Sequence, residues 1–251
     1  WEEEFAKYTR SFETEAFASV LNKVGQMITS SALLNMVGQP KSTIDFRHLM
    51  DTKHILLVNL SKGRIGESRA SLLGSLVITG LYLAALGRIG APEEKRRDFY
   101  LYVDEFQSFN TDAFKEILSE ARKYRLNLTL AHQYLEQIDE DVLPAVFGNV
   151  GSMAIFRVGS GDAFVLQREF EPYFDCEDLR SQENYHVYYK CMVDGREQPP
   201  SFAKTHPPLG RVGDEASKEE VIAASRERFA RRREKVELGI IRRFKAQSLA
   251  G

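Results

Sequence analysis

The spacing of apolar residues predicts a helical start to the chain. Between residues 1 and 38 apolar side chains recur every three or four positions, which is the period of a helix with one buried face. The segment Val37-Gly38-Gln39-Pro40 follows and is typical of a helix end. We therefore expect residues 1–40 to form a helical segment of two helices.

The middle of the chain alternates short apolar runs with longer helical patterns. Four apolar runs predict strands at residues 54–60, 99–103, 126–131 and 152–158. Helical patterns occupy residues 70–87 and 111–123 between them. Strands joined through helices form βαβ units, whose strands are parallel and buried on both faces. The sequence therefore predicts an α/β fold with a mostly parallel sheet covered by helices.

A β-hairpin is predicted after these units. Residues 185–193 and 196–204 alternate in the manner of strands, and the Asp194-Gly195 turn joins them. The hairpin fits the edge of a sheet, because Pro199 and Pro200 have no N–H to donate to a neighbouring strand.

The C-terminal part is basic and helical. From about Ser217 to the end, one helical pattern carries ten Lys or Arg residues against five Glu. We divide the chain into the helical segment, a core at residues 41–209 and a basic helix at residues 210–251. The nucleic-acid candidates in this helix are Arg231, Arg232, Arg233, Arg242 and Arg243. The alternative is a solvated helix face whose apolar stripe, including Val236, Ile240 and Phe244, packs on protein.

Composition restricts the class of protein but identifies no partner. The 251 residues are 43% hydrophobic and 28% charged. This composition is typical of globular proteins and excludes collagen-like or wholly disordered chains. The net charge of -2 supplies no overall field for a polyanion, so nucleic-acid contact would need local clusters. Cys176 and Cys191 are too few for a disulfide framework, and the sequence has no spacing typical of a metal site.

One uncharged stretch approaches the length of a membrane span. Residues 70–87 lie between Arg69 and Arg88, at the lower end of the roughly 17–25 residues that cross a bilayer. Serine, threonine and glycine residues interrupt the stretch, and it lies between two predicted strands. We therefore expect a helix buried on both sides and no membrane span in this chain.

Two acids directly follow the second predicted strand. Asp104 and Glu105 come after Leu101-Tyr102-Val103, and ligands of open α/β sheets bind at the carboxyl ends of the strands. There the first acid would hold Mg²⁺ on nucleotide phosphates, and the second would orient and deprotonate an attacking water. Gln133 follows the neighbouring strand and would contact a γ-phosphate or that water. The alternative is that the acids cap the following helix and that Gln133 is an ordinary loop residue.

The chain resembles the second half of the ATPase module of the HerA/FtsK superfamily through three motifs, DEFQSF, ARKYRLNLTLAHQYLEQI and GNVGSMAIFRVGSGDA. With VNLSKGRIGE upstream, it is most similar to conjugative DNA-transfer ATPases of type IV secretion systems, the TraG/TraD-like coupling proteins, over residues 1–209. The resemblance implies a RecA-like fold, ATP and Mg²⁺ as cofactors, and a hexameric ring of identical subunits that moves DNA. It also implies type IV secretion components as partners and a location in the cytoplasm or at the inner face of the cell membrane.

The resemblance assigns roles to four residues. Asp104 would bind the Mg²⁺ of the nucleotide, Glu105 would be the catalytic base and Gln133 the sensor of the γ-phosphate. Arg157 of FRVGSGDA would be an arginine finger or a further sensor. The alternative for Arg157 is a structural pair with Asp162.

The phosphate-binding loop of these ATPases has no counterpart in the chain. The motif GxxxxGK[ST] and even the dipeptide Gly-Lys are absent from the sequence. The turn Gly63-Arg64-Ile65-Gly66-Glu67-Ser68 opens a helix but lacks the lysine, and its glutamate would repel phosphate. In the family this loop precedes a helical insertion. Residues 1–38 of this chain resemble the end of that insertion. We therefore expect this chain alone to be inactive, and the alternative function is a non-hydrolysing RecA-like interaction or regulatory module.

Overall fold

The computed structural model describes residues 17–18, 21–22, 24–25, 27–109, 112–208, 210 and 215–248. Two units divide the chain between them. Unit 1 takes in residues 1–45, 59–70 and 213–251, and unit 2 takes in residues 46–58 and 71–212. The three-part division predicted at residues 40 and 209 stays a prediction.

Helices and short strands alternate along the described residues. The helices are α1 (Ser31–Val37), α2 (Phe46–Asp51), α3 (Lys62–Ile65), α4 (Glu67–Leu86), α5 (Asp112–Glu120), α6 (Leu143–Asn149), α7 (Ser160–Leu166), α8 (Cys176–Arg180), α9 (Glu215–Phe229) and α10 (Arg233–Ser248). The strands are β1 (Phe99–Val103), β2 (Leu126–Leu130), β3 (Met153–Ile155), β4 (His186–Lys190), β5 (Met192–Val193), β6 (Arg196–Glu197) and β7 (Ser201–Lys204).

A parallel pair of strands lies in unit 2. β1 and β2 run side by side from the pair Phe99 and Leu126 to the pair Val103 and Leu130. The connection between them contains α5, as a βαβ unit requires. The two strands therefore end at the same edge, and the residues that follow them are brought together.

The other described strands are antiparallel. β4 pairs with β3 on one side and with β7 on the other, and β5 pairs with β6 across the predicted turn. The α/β class and the hairpin are confirmed, whereas the prediction of residues 152–158 as a further parallel strand is wrong. Since β3 pairs with β4 of the hairpin, the three residues of this strand join an antiparallel sheet.

The predicted first strand, residues 54–60, is also not a strand in the structure. Its apolar residues make it strand-like in sequence, but a strand forms only where a second backbone supplies hydrogen bonds. Ile55 and Leu57 are 88% and 80% exposed, so this segment lacks the covering that the sequence pattern predicts.

Helix α4 contributes one face to the core of unit 2. Leu81 and Ala85 are buried in the same hydrophobic cluster as Val103 of β1 and Phe114 of α5. Leu83, on another face, is 60% exposed, so the expectation of burial on both sides is wrong. By length and composition alone the helical stretch Glu67–Gly90 is able to cross a membrane, and 33% of its most apolar part is buried.

The C-terminal part of unit 1 is two helices, not the single helix that the sequence predicts. The chain leaves helical geometry at residues 230–232, between α9 and α10. Val236 and Ile240 of α10 are buried, and Asn35 next to them donates to Glu237 at 3.2 Å. Phe244 is 66% exposed, so it is not part of the packed stripe as expected.

The N-terminal helical prediction is seen in part. α1 ends at Gly38, the predicted stop, and the described residues between 17 and 29 are helical. Residues 1–16, where the same prediction begins, lie outside the described part of the chain.

Candidate active site

The residues after β1 form a tight turn that is fixed to β2. Ala131 donates its N–H to the Val103 carbonyl at 2.9 Å, and Phe106 donates to the Ala131 carbonyl at 3.1 Å. The Phe106 side chain is fully buried and stacks on Phe114 of α5. These contacts hold both ends of the segment that carries Asp104 and Glu105.

Glu105 has a backbone conformation that non-glycine residues seldom adopt. Its φ is 52°, and its N–H donates to Asp104 Oδ1 at 3.0 Å. Left-handed conformations at such residues cost free energy and are concentrated at functional sites, where surrounding contacts enforce them. Here the enforcing contact is the anchored backbone of Phe106.

Two amide groups bind the Glu105 carboxylate. Gln133 Nε2 donates to Glu105 Oε1, and Gln107 Nε2 donates to Glu105 Oε2 at 2.6 Å. Gln107 Nε2 also donates to Gln137 Oε1 at 3.0 Å. The structure therefore brings Glu105 and Gln133 into direct contact, as expected when neighbouring parallel strands end at one edge, although their catalytic roles stay predictions.

Asp104 is exposed at the same edge and fits the role of a single carboxylate ligand for Mg²⁺. One of its oxygens receives the Glu105 N–H, and no contact is recorded for the other among the described residues. Mg²⁺ in nucleotide sites is typically held by one or two carboxylates together with phosphate oxygens and water. The described residues contain no cluster of three or more His, Cys, Asp or Glu suited to a metal, so Asp104 would need phosphate and water to complete the shell.

His132 lies behind this edge and is better explained as a structural residue. Its ring packs edge-on against Phe106, with the centroids 5.3 Å apart. Burial lowers the pKa of His132, although the charge of Asp162, a backbone hydrogen bond with Tyr134 and the charge of Glu105 act in the opposite direction. The neutral ring is therefore favoured in the folded state.

Asp162 is buried but does not pair with Arg157. Its Oδ2 accepts the N–H of Leu135 at 3.2 Å, which fixes the short 3₁₀ turn Leu135–Gln137 to α7. Arg157 is exposed two residues beyond β3 and has no recorded hydrogen bond or ion pair among the described residues. The structural pair considered for Arg157 is thus not formed, and a role as arginine finger or sensor stays a prediction.

The Gly63 turn differs from a phosphate-binding loop. Residues Lys62–Ile65 form a single short helical turn, and Gly66 has a φ of 85° before α4 begins. Lys62 Nζ lies 3.0 Å from Glu67 Oε1, so the lysine of this turn is paired with the acid. This pairing agrees with the expectation that Glu67 makes the turn unsuited to phosphate.

The arginines proposed to bind nucleic acid differ in their engagement. Arg231 and Arg232 are exposed between α9 and α10, and Arg242 is exposed on α10. Arg233 pairs with Glu237 at 2.7 Å, while Arg243 donates to the Gly38 carbonyl. Arg233 and Arg243 are therefore already engaged in contacts within unit 1.

Sequence reasoning missed two residues of the site, Gln107 and Gln137. Each is a glutamine in a short 3₁₀ turn. Gln107 lies two positions after Glu105, and Gln137 lies four positions after Gln133. The recurrence of glutamine near both predicted strand ends was an available signal. The contact of Gln107 with Glu105 was not, because it depends on the conformation of the turn.

Solved structures of two proteins resemble part of this fold. The bacterial conjugative coupling protein TrwBdeltaN70, in an unbound form, aligns with 54% of this chain at 14% identity and a TM-score of 0.45. This chain covers 37% of that protein's length. The genome packaging NTPase B204 from Sulfolobus turreted icosahedral virus 2 aligns in its complex with ATP-gammaS over 67% of this chain and 74% of its own, at 14% identity and a TM-score of 0.43.

The B204 complex with AMPPCP aligns over 68% of this chain and 74% of its own, at 15% identity and a TM-score of 0.42. No protein-family model and no curated protein matches the sequence. Likeness at these levels assigns neither a family nor an activity.

Proposed function

We propose that this chain is the C-terminal part of an ATPase that couples ATP hydrolysis to DNA translocation, in the manner of the conjugative DNA-transfer ATPases that its motifs resemble. The observation that carries the proposal is the contact between Glu105 and Gln133 at the carboxyl ends of β1 and β2. A carboxylate and an amide at this edge are the groups that phosphoryl transfer to water requires for orienting the nucleophile.

The site residues divide the work of the proposed reaction. Asp104 would hold Mg²⁺, which when bound supplies charge neutralisation at the phosphates. Glu105 would accept a proton from the attacking water, and Gln133 would donate its amide N–H to a γ-phosphate oxygen. Arg157 is exposed and would stabilise charge on the transferred phosphoryl group, either in its own subunit or in the next subunit of a ring.

The phosphates themselves need donors beyond these residues. A backbone cradle and a lysine hold the β- and γ-phosphates in P-loop ATPases, and the sequence contains no such motif. We therefore propose that a phosphate loop outside this sequence completes a RecA-like domain. DNA, identical subunits in a hexameric ring and type IV secretion components are the proposed partners, in the cytoplasm or at the inner face of the cell membrane.

The decisive experiment replaces Glu105 in a protein that contains both this chain and a phosphate-binding loop ahead of it. Glu105→Gln is expected to lower ATP hydrolysis by about 10²–10⁴, since it removes the base. Binding of a fluorescent ATP analogue should persist because Asp104 remains. Phosphate release and fluorescence titration measure the two effects, and the exposed residue Glu136 provides the matched control Glu136→Gln.

A second candidate function is a non-hydrolysing interaction or regulatory module. The absence of the phosphate-binding motif from the sequence favours it. If the joined protein hydrolyses ATP equally well with Glu105→Gln, the ATPase assignment of this site is wrong. If it neither binds nor hydrolyses ATP, the interaction module becomes the better explanation.

A further inference from the structure

Both oxygens of the Glu105 carboxylate are held, and the two donors differ in their surroundings. Gln133 is exposed, whereas Gln107 is half-buried and lies directly after the fully buried Phe106. An exposed side chain rotates readily, but a side chain packed beside an anchored residue does not. The contact from Gln133 is thus the easier of the two to release.

The chemistry of the partners fixes the orientation of the Gln107 amide. An ionised carboxylate only accepts hydrogen bonds, so the Nε2 end of Gln107 must face Glu105. Its second hydrogen goes to Gln137 Oε1, and its own Oε1 is buried with no hydrogen-bond partner among the described residues. Two acceptors therefore hold one amide group in a single orientation.

The far side of this contact is anchored to a helix. Gln137 belongs to the 3₁₀ turn Leu135–Gln137, and the N–H of buried Leu135 donates to buried Asp162 of α7. A chain of contacts thus runs from Glu105 through Gln107 and Gln137 to α7. Gln137 is itself exposed, so Gln107 differs from Gln133 in its half-buried position and its second acceptor.

We propose that Gln107 is a positioning residue that holds Glu105 Oε2 throughout the reaction, while Gln133 releases Oε1 when it turns to the nucleotide. The inference rests on the proposed ATPase function. In the reaction the oxygen of water forms a bond to the γ-phosphorus, Glu105 Oε1 takes the water proton, and the electron pair of the broken P–O bond leaves with ADP. Gln107 keeps the carboxylate pointing at the water during this step.

The contact itself is tested in the chain as it stands. Nuclear magnetic resonance of protein labelled with ¹⁵N-glutamine resolves the side-chain amides, which are assigned by substituting each glutamine in turn. Glu105→Ala should move the amide proton signals of both Gln107 and Gln133 upfield, because each loses a charged acceptor. An unchanged Gln107 signal would show that Gln107 does not hold Glu105 and would overturn the proposal.

Gln107→Leu should also move the Gln133 amide signals, because Glu105 is then held on one side only. The matched control Gln198→Leu should leave them in place, since Gln198 is exposed and its side chain donates only to the Arg196 carbonyl. Equal spectra for the two variants would mean that Gln107 does not orient the carboxylate.

Catalysis is tested in the protein that joins this chain to a phosphate loop. Gln107→Leu is expected to lower kcat by about tenfold to a hundredfold, the range for a hydrogen bond to a charged group, with KM for ATP unchanged. Gln137→Leu removes only the outer anchor and should lower kcat less, which provides a second test should Gln107→Leu lower the melting temperature.

The two proposals fail in different ways. Loss of hydrolysis with Glu105→Gln but a wild-type kcat with both glutamine variants would overturn the role of Gln107 and leave the ATPase function standing. A wild-type protein without hydrolysis would overturn the ATPase function and with it the catalytic role of Gln107, while the amide spectra would still decide whether Gln107 holds Glu105.

Discussion

The two ends of the β1 and β2 pair hold charged groups in opposite ways. At the amino ends, the fully buried guanidinium of Arg88 donates to the carbonyls of Arg97 and Tyr124 at 2.8 and 3.0 Å. It also lies 3.1 Å from an Asp51 oxygen. At the carboxyl ends, the Glu105 carboxylate is held by two glutamine side chains near the surface.

The Arg88 guanidinium therefore stabilises the fold, whereas the Glu105 carboxylate is placed where it can react. Arg88 binds backbone groups just ahead of both strands, so its contacts cannot change without moving the sheet. Glu105 binds side-chain amides, and the exposed Gln133 among them can exchange partners by rotation alone. Charged groups in the second situation are candidates for catalysis, because they are accessible and oriented at the same time.

The largest expected effect is on the amino ends. Arg88→Met should lower the free energy of unfolding by about 1–3 kcal/mol, because it leaves the Arg97 and Tyr124 carbonyls without their donor, while Asp51 keeps its pair with Arg47. Chemical denaturation measures the change. The control Lys123→Met removes an exposed pair with Glu120 and should cost less than about 1 kcal/mol.

Glu105→Gln provides the contrasting measurement at the carboxyl ends. It should change the free energy of unfolding by less than about 1 kcal/mol, because the shape is kept, one amide donor keeps an acceptor oxygen, and exposed Gln133 can turn to water instead. Equal losses for Arg88→Met and Glu105→Gln would remove the distinction between the two ends of the sheet.

The sequence predicts the positions of β1, β2 and α4 well because local pattern determines them. Apolar runs bounded by charged or polar residues mark both strands, and the uncharged stretch marks the helix. Asp104, Glu105 and Gln133 are predictable for the same reason, since each lies within two residues of the end of an apolar run. Their closeness then follows from parallel pairing.

Contacts between distant parts of the sequence are what local pattern does not contain. Arg88 looks like an end to the uncharged stretch, yet it serves carbonyls 9 and 36 residues away. The pairing of β3 with β4 likewise joins segments far apart in the sequence, so the apolar run at residues 152–158 does not reveal that it is antiparallel. Residues 54–60 have the composition of a strand but no described partner.

The next expected effect concerns a half-buried titratable group at the carboxyl ends, His132. Because burial lowers its pKa below the usual value of 6.5, the unfolded chain binds the proton first as pH falls. Stability carried by the neutral ring is therefore present above pH 6.5 and is lost as pH falls from there towards the folded pKa. The slope is at most about 1.4 kcal/mol per pH unit.

His132→Phe should flatten this dependence because phenylalanine cannot take up a proton and still packs on Phe106. Denaturation of both proteins between pH 5 and pH 7.5 measures the difference in slope. The exposed His206 provides the control His206→Phe, which should keep the wild-type slope. An equal slope in His132→Phe would mean that His132 does not contribute to the pH dependence.

The smallest expected effect on stability is at the exposed arginines of unit 1, where charge is neither buried nor held by a network. The side chains of Arg231 and Arg232 have no recorded partner among the described residues, whereas a hydrogen bond with Glu237 holds Arg233 and raises its pKa. If this surface binds DNA through phosphates, changing all three to Gln should flatten the log–log salt dependence by about 2, not by about 3, because Arg233 is already paired.

The double variant Arg231→Gln with Arg232→Gln tests that distinction against the triple variant. Titration of labelled DNA at two salt concentrations should give the two variants the same slope, with binding to all DNA sequences weakened alike. Chemical denaturation should show that the free energy of unfolding changes by less than about 0.5 kcal/mol in either variant. Unchanged DNA binding in both would assign this surface to protein packing. In that case Ile240→Asp, in the buried face of α10, should lower the melting temperature, while Phe244→Asp on the exposed face should not, because only the first places a charge among packed apolar side chains.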